Sequence, residues 1–460
     1  ISFPNNLGIA FTVTGVGGAL TLGNSNFPQY RNDKVYEYTD NISFTPANHS
    51  FKMGYSLLVY NLASFFAPNF NGTVSYPSLP NFLTDTSASI QRYAGDGLTD
   101  ATTYENSMFF QDDWRVNQDL NLNLGIRYEY VTTPYGFFSN AKPDINNFGP
   151  RLGIAWNPKN MFGGRMVLRG GFGISYDQVF QNVLLNNSRN FPRGVNIALT
   201  NQNGIAPYIT LPAAPTPANY VGDPKLLPLR LFSPDTRVRQ PMSKQWTVSL
   251  QYQFANDWVA KAEYIGTQGR NLIREVEQNF GFAVAAGGTG LRIDPTRGSV
   301  LVGQGIADSS YHAGQFTLEK RLSKLNFFGK DFGSFVMNAN YTFSAFMSES
   351  DDVLGGQANR TLPADPRFPK LDMARSGFDQ PHRFVTNFVW GAPDIIGDGS
   401  SSFGRNVASK ILNGWQLSAV GTYASGTPFS VLNANNALGI LPGQVSTVEG
   451  SQRVSVNPSG

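Results

Sequence analysis

Residues 120–130 alternate with period two: Leu120, Leu122, Leu124, Ile126, Tyr128 and Tyr130 fall on one side, and Asn121, Asn123, Gly125, Arg127 and Glu129 on the other. Successive strand side chains point to opposite faces, so this is a strand between an apolar and a polar environment. Residues 244–254 repeat the pattern, with Trp246, Val248, Leu250, Tyr252 and Phe254 against Gln245, Thr247, Ser249, Gln251 and Gln253. Residues 49–60 set Phe51, Met53, Tyr55, Leu57 and Val59 against Ser50, Lys52, Gly54 and Ser56. Fainter versions near 8–17, 35–45, 104–116, 147–156, 165–176, 258–267, 311–322, 334–344, 382–390 and 414–423 bring the candidates to thirteen. Each is roughly ten residues long, the length a tilted strand needs to cross a bilayer.

The connections alternate. Short ones fall near 46–48, 117–119, 157–164, 255–257, 323–333 and 391–413; long ones fall near 18–34, 61–103, 131–146, 177–242, 268–310 and 345–381. A soluble sandwich has no reason to gather every long loop at one end, whereas a membrane barrel has short periplasmic turns and long extracellular loops. The pattern therefore predicts an all-β fold, an antiparallel transmembrane β-barrel. Five of the six Trp (Trp114, Trp156, Trp258, Trp390 and Trp415) fall at the short-turn end, as an interfacial aromatic girdle requires. Asp112 and Asp113 break the phase by placing a carboxylate on each face; either a bulge resets the strand there or Asp112 sits close enough to the interface to stay hydrated. Residues 187–242 hold nine Pro, which cannot donate to a ladder, so 177–242 is expected as a long extracellular loop. A short helix is expected at 404–413, inside a periplasmic connection.

Composition narrows the function. Only 15% of residues are charged and the net charge is +3 over 460 residues, so no nucleic-acid partner is indicated. With no Cys, thiol nucleophiles, disulfides and Cys-ligated zinc are excluded. No run of about 18 apolar residues is present, so no transmembrane helix is expected. The start, Ile1-Ser2-Phe3-Pro4, lacks Met and signal-peptide features, as in a processed product or an interior segment. No His-Glu-x-x-His, Gly-x-Ser-x-Gly or phosphate-loop motif occurs, so neither an enzyme nor a cofactor is indicated. His49, His312 and His382 are far apart and read as hydrogen-bonded rim residues rather than metal ligands. Asp96 and Asp100, and Asp351 with Asp352, read as solvated loop carboxylates in preference to calcium ligands.

Several segments resemble a known family. Phe109-Phe110-Gln111-Asp112-Asp113-Trp114-Arg115-Val116, followed by Leu122-Asn123-Leu124-Gly125-Ile126-Arg127-Tyr128-Glu129, is similar to a strand pair recurrent in TonB-dependent outer-membrane receptors. Asn147-Phe148-Gly149-Pro150-Arg151-Leu152-Gly153, Leu168-Arg169-Gly170-Gly171-Phe172-Gly173-Ile174-Ser175-Tyr176-Asp177, Tyr264-Ile265-Gly266-Thr267-Gln268-Gly269-Arg270, Pro381-His382-Arg383-Phe384, Gly414-Trp415-Gln416-Leu417 and Gly426-Thr427-Pro428-Phe429 resemble the Oar-like branch, whose members carry a carboxypeptidase-regulatory-like domain. The resemblance implies a bacterial outer-membrane barrel of about 22 strands, closed by an N-terminal plug and energised by the TonB complex. On that basis residues 1–460 are expected to be a barrel domain incomplete at both ends, since thirteen strands is an odd number. The plug and the TonB contact would come from missing N-terminal sequence.

The expected activity is uptake of an unknown substrate; the alternatives are a passive channel, a surface adhesin, or a soluble secreted all-β protein. Expected partners are outer-membrane lipid, the plug, the TonB complex and the substrate. On the polar faces, Lys52, Arg127, Glu129, Arg151, Arg169, Lys261 and Glu263, with Glu319 and Arg321, are expected to point into the lumen. Tyr208, Tyr220, Arg230, Phe232, Arg237 and Arg239 in the Pro-rich loop are the candidates for substrate capture, because exposed aromatics and Arg on a stiff loop dominate binding energy.

Overall fold

Alternating strands need turns to become a sheet, and the sequence supplies them. Phe328 and Gly329 take φ values of 49° and 72°, the paired left-handed positions of a two-residue hairpin turn. Phe327 pairs with Lys330 across them. The Asn117 side chain accepts from the amides of Asp119 and Leu120 at 2.8 and 2.9 Å, a local bond that favours turning over extension. Ala47, at φ 47°, reverses the chain while the His49 amide donates to the Pro46 carbonyl at 2.9 Å.

The computed structural model describes residues 10–14, 19–24, 29–67, 69–132, 142–179, 194–203, 229–232, 239–282, 291–294, 300–351, 363, 365–396, 403–429, 432–433 and 452–453. Twelve strands form a meander, each antiparallel to the one before. They are β1 (Gln29–Phe44), β2 (His49–Phe66), β3 (Leu98–Arg115), β4 (Leu120–Val131), β5 (Asn147–Trp156) and β6 (Met166–Tyr176). Then come β7 (Met242–Ala255), β8 (Trp258–Glu277), β9 (Val300–Phe327), β10 (Lys330–Ser348), β11 (His382–Gly391) and β12 (Gln416–Ala424). Short strands Leu229–Phe232, parallel to the start of β9, and Ala374–Arg375, against the end of β10, complete this sheet.

Twelve of the thirteen expected strands are present. The exception is 8–17: Ala10–Thr14 belongs to a second sheet, ordered Gly194–Gln202, Ala88–Gly95, Thr73–Tyr76, Ala10–Thr14, Ala19–Leu22. That sheet is built from the long-connection side of the chain. Its core is Phe11, Val74, Tyr76, Ala88 and Ile90, capped by Phe82 of helix α1 (Leu79–Thr84). The main meander thus has an even count. Its outer strands run in opposite senses, so among the described residues the wall has twelve strands rather than the expected thirteen.

Register partners in an antiparallel ladder project to the same face. One row runs Leu122, Ile154, Gly170, Val248, Tyr264, Gly314, Phe343, His382. Its large apolar members are exposed, Val248 at 53% and Phe343 at 55%. Exposure of this kind continues over Met53, Phe110, Ile126, Leu152, Leu250 and Phe316. A contiguous apolar surface on this scale is not left in water; it is the outer wall of a bilayer-spanning sheet. Trp114, Trp156, Trp258 and Trp390 lie on this face at the short-turn end.

Asp112 also lies on the apolar face, opposite Phe51 and Leu124. The β2–β3 register is unbroken from His49/Trp114 to Phe65/Leu98, so no bulge resets the phase. The carboxylate is buried and takes a 2.8 Å bond from His49 Nδ1. His49 holds one carboxylate oxygen, Oδ2, while Oδ1 is buried with no partner among the described residues. His312 and His382 also have partners, the hydroxyls of Tyr264 at 2.8 Å and Tyr341 at 2.7 Å. His312 lies well inside β9 rather than at a strand start.

The ladders run beyond the expected ten residues. Strand β9 has 28 residues, β8 20 and β10 19, so much of the supposed loop 268–310 is paired strand. The short connection expected at 323–333 shrinks to Phe328-Gly329. Helix α2 (Phe403–Leu412) occupies the connection where a helix is expected.

Candidate functional site

The face opposite the apolar one carries the charge. Lys52 is the partner of Gln111, Gln111 of Gly125, Gly125 of Arg151, and Arg151 of Gly173. Arg127 and Glu129 continue that face along β4, and Arg169 continues it along β6. Arg169 partners Ser249, and Ser249 partners Glu263. These seven of the nine sequence-predicted wall residues therefore share one side, and Glu319, the partner of Val259, continues it along β9. The structure brings them together as local pairs rather than one cluster: Lys52 with Asp113 at 3.4 Å, Arg127 with Glu129 at 2.5 Å and Lys261 with Glu263 at 2.6 Å. Arg169 donates to Gln251 at 3.0 Å, and Arg151 stands exposed between the glycines of β4 and β6. Partly exposed pairs of this kind contribute little stability. Their effect is to line the wall with neutralised polar groups.

Two cavities open on this face. One, of about 660 Å³, lies over β1–β4 and is lined by Glu37, Asn41, Lys52, Phe109 and Arg127. Phe109 reaches across Gly54, where any Cβ would collide with its ring. The other, of about 520 Å³, lies where β6–β10 reach the long-loop end, and includes Ser175, Ser243, Thr267, Ser309, Tyr311 and Phe346.

Bonded to Phe346 of the second cavity through Ser376 and Asp379, residues 365–380 form a strap held largely by charge. Arg274, with 0% of its side chain exposed, pairs with Asp372 and donates to the Pro369 carbonyl at 2.8 Å. Lys370 reaches Asp308 at 2.7 Å and Glu349 at 3.3 Å, and Arg270 reaches Asp308 at 3.0 Å. Asp379 accepts from the Phe346 amide at 2.8 Å and pairs with Arg375 at 2.5 Å. Arg367 holds the Asp365 carboxyl below its ordinary range, through a side-chain bond first and backbone bonding second. None of these residues was singled out by the sequence: consecutive buried positions 273–277 show no alternation, and their partners lie about a hundred residues away.

The loop candidates divide. Tyr208, Tyr220 and Arg237 lie outside the described residues. Arg230 and Phe232 are on the strand paired with Leu301 and Gly303. Arg239 is exposed, its backbone passing over Gly305. Strand Gly194–Gln202 joins Ala88–Gly95, so part of 177–242 is an ordered sheet edge rather than irregular loop. Asp96 and Asp351 accept from the amides of Leu98 and Gly377 at 2.9 and 2.7 Å, and Asp352 lies outside the described residues. Among the described residues no group of three or more His, Asp or Glu is placed to hold a metal.

The sequence profile of one protein family, described as "Outer membrane beta barrel domain", matches residues 3–140 and 136–458. No curated protein matches. Among solved structures, the chain is similar to the outer membrane transporter YddB from Escherichia coli, at 11% identity and TM-score 0.49, covering 91% of this chain and 50% of that one. The ferripyoverdine receptor of Pseudomonas aeruginosa gives 9% identity and TM-score 0.43, covering 82% and 38%. The siderophore receptor PirA from Acinetobacter baumannii gives 11% and 0.39, covering 89% and 48%. The chain spans half or less of the length of each.

Proposed function

This chain belongs to the outer membrane β-barrel domain family, and we propose on that premise that it forms the wall of a receptor that takes up a substrate through a plugged barrel. Its location is the bacterial outer membrane, which sets aside the soluble secreted reading. The short turns then face the periplasm and the long connections the outside. The observation that carries the proposal is the two-faced sheet: an exposed apolar wall on one side, and on the other a polar wall with cavities, one of them at the outer end. A passage needs such a wall; an adhesin needs only the outer loops.

The finer reading is a TonB-dependent receptor of the Oar-like kind. A plug would rest against Lys52, Arg127, Arg151 and their neighbours, and TonB would act through sequence outside this chain. The experiment is substrate uptake by cells that express the intact protein, with and without TonB and with and without a protonophore. Uptake abolished by either treatment supports the receptor. Uptake unchanged by both identifies a passive channel, and surface binding without uptake identifies an adhesin.

A further inference from the structure

The outer cavity has a floor that the register sets out strand by strand. Ser175 partners Ser243, Ser243 partners Gly269, and Gly269 partners Ser309. Four adjacent strands thus contribute a row of small residues. At about 4.8 Å between strands, the row is roughly 14 Å long. One step toward the periplasm, Thr267 partners Tyr311, and Tyr311 partners Phe346. The rings of Tyr311 and Phe346 meet edge to face at 6.2 Å, forming an aromatic wall along the trough. Met242 and Leu272 line the outer side. A Cβ at Gly269 would collide with Ser309 Oγ and meet Leu272 at 3.1 Å, so a larger residue there would fill the floor.

The polar groups in this trough are mostly hydroxyls. Those of Ser175, Thr267, Ser309 and Tyr311 have no hydrogen-bond partner among the described residues. Among the described residues no Lys, Arg or His lines the cavity, and the one charged side chain there is Asp177. Hydroxyls both donate and accept, so the floor matches a ligand that does the same. Asp177 disfavours an anion. The aromatic wall offers flat apolar area at low entropic cost. The trough is also preorganised, because the Phe346 backbone is bonded to Asp379 and Ser376 of the strap at 2.8 and 2.9 Å, and a rigid site loses less entropy on binding.

We infer that this trough is a binding site for a neutral oligosaccharide, its rings against Tyr311 and Phe346 and its hydroxyls over the Ser175–Ser243–Gly269–Ser309 row. The inference rests on the transport reading and names the substrate class for it. The test uses the intact protein in detergent. Calorimetric titration is carried out with cellohexaose, xylohexaose, mannohexaose and maltohexaose, with hexagalacturonate as the anionic counterpart and a Gly-Ser decapeptide as the peptide control. At least one neutral hexasaccharide should bind, with hexagalacturonate and the peptide at least about tenfold weaker. Tyr311→Ala should weaken that binding by about tenfold and Tyr311→Phe by much less. Heat-modifiable migration of both variants establishes that they assemble.

Failure of all four neutral sugars to bind, binding unaffected by Tyr311→Ala, or tighter binding of the anion or the peptide would each overturn the site. Uptake assays separate this from the transport reading. Saccharide binding without uptake would keep the site and remove transport. Uptake of another solute by the Tyr311→Ala variant would keep transport while the titration decides the site.

Discussion

Leu124 and Asn123 are neighbours in the chain with opposite environments. Leu124 is 39% exposed on the apolar face, with Leu152 and Asp112 as its register partners, while Asn123 donates to Asp113 at 2.5 Å on the polar face. Leu124 lies four residues above Leu120, whose partner is the rim residue Trp156, so it sits near mid-depth of the apolar band. Leu124→Arg should therefore destabilise the assembled barrel by about 2–4 kcal/mol. Asn123→Arg should be tolerated beside Asp113. Heat-modifiable assembly checks this, and equal defects would refute the assignment of faces. A second residue-scale prediction concerns acid. Asp257, in the Ala255–Trp258 turn, is held below its ordinary value of 3.8 mainly by the Ser323 hydroxyl bond, then by Lys320. A depressed folded pKa contributes stability above the unfolded value and loses it as pH falls through the folded one. Asp257→Asn should lower the unfolding temperature at pH 7, with the difference shrinking below pH 3.8. A constant difference down to pH 2 would contradict the assignment.

The strap at 365–380 is an element held by charge rather than by apolar burial. Removing one partner of a buried pair leaves the other uncompensated, at a cost of about 3–5 kcal/mol, whereas replacing both by apolar residues is often neutral. Arg274→Ala should release the strap, and Arg274→Met with Asp372→Leu should restore it. Amide exchange at Ser376 and Asp379 reads the outcome; protection that stays unchanged in Arg274→Ala would show that the pair is not the fastener. This element also marks where the sequence stops being legible. Period-two alternation reveals a strand only where its two faces meet different media. It exposed twelve wall strands and the side on which Lys52, Arg127, Glu129, Arg151, Arg169, Lys261 and Glu263 stand. Beyond the membrane, Ile273 to Glu277 are buried on both faces, so the outer extensions of β8 and β9 within 268–310 carry no alternation and read as loop. Of the second sheet only the strand near 8–17 shows a period, and it reads as one more wall strand. The sheet's strands come from 10–22, 73–95 and 194–202, and pairing between such distant segments leaves no local sign. Asp112 failed differently, since alternation does not show that His49, 63 residues away, would bond it.

At the scale of the molecule, the open question is what pairs with the two outer strands. Both β1 and β12 are exposed along their whole lengths. In hydrocarbon every backbone polar group needs a partner, so membrane sheets close. β1 runs toward the periplasm and β12 away from it, which permits them to pair directly as a twelve-strand ring. Barrel diameter grows with strand number: eight strands are filled by side chains, and 16–18 leave an aqueous channel. A twelve-strand ring has a narrow lumen with no room for a plug domain. Receptor function therefore requires that further strands separate the two edges, as the resemblance to a barrel of about 22 strands implies. The prediction is tested in the native membrane with the intact protein. Cysteine replaces Glu37, Thr39 or Asn41 on the polar face of β1, each combined with Val420→Cys on the polar face of β12. Under oxidation none of the three pairs should form a disulfide in assembled protein. A high yield from any pair would establish direct closure. It would also favour the passive-channel reading, because the lumen would then be too narrow to hold a plug.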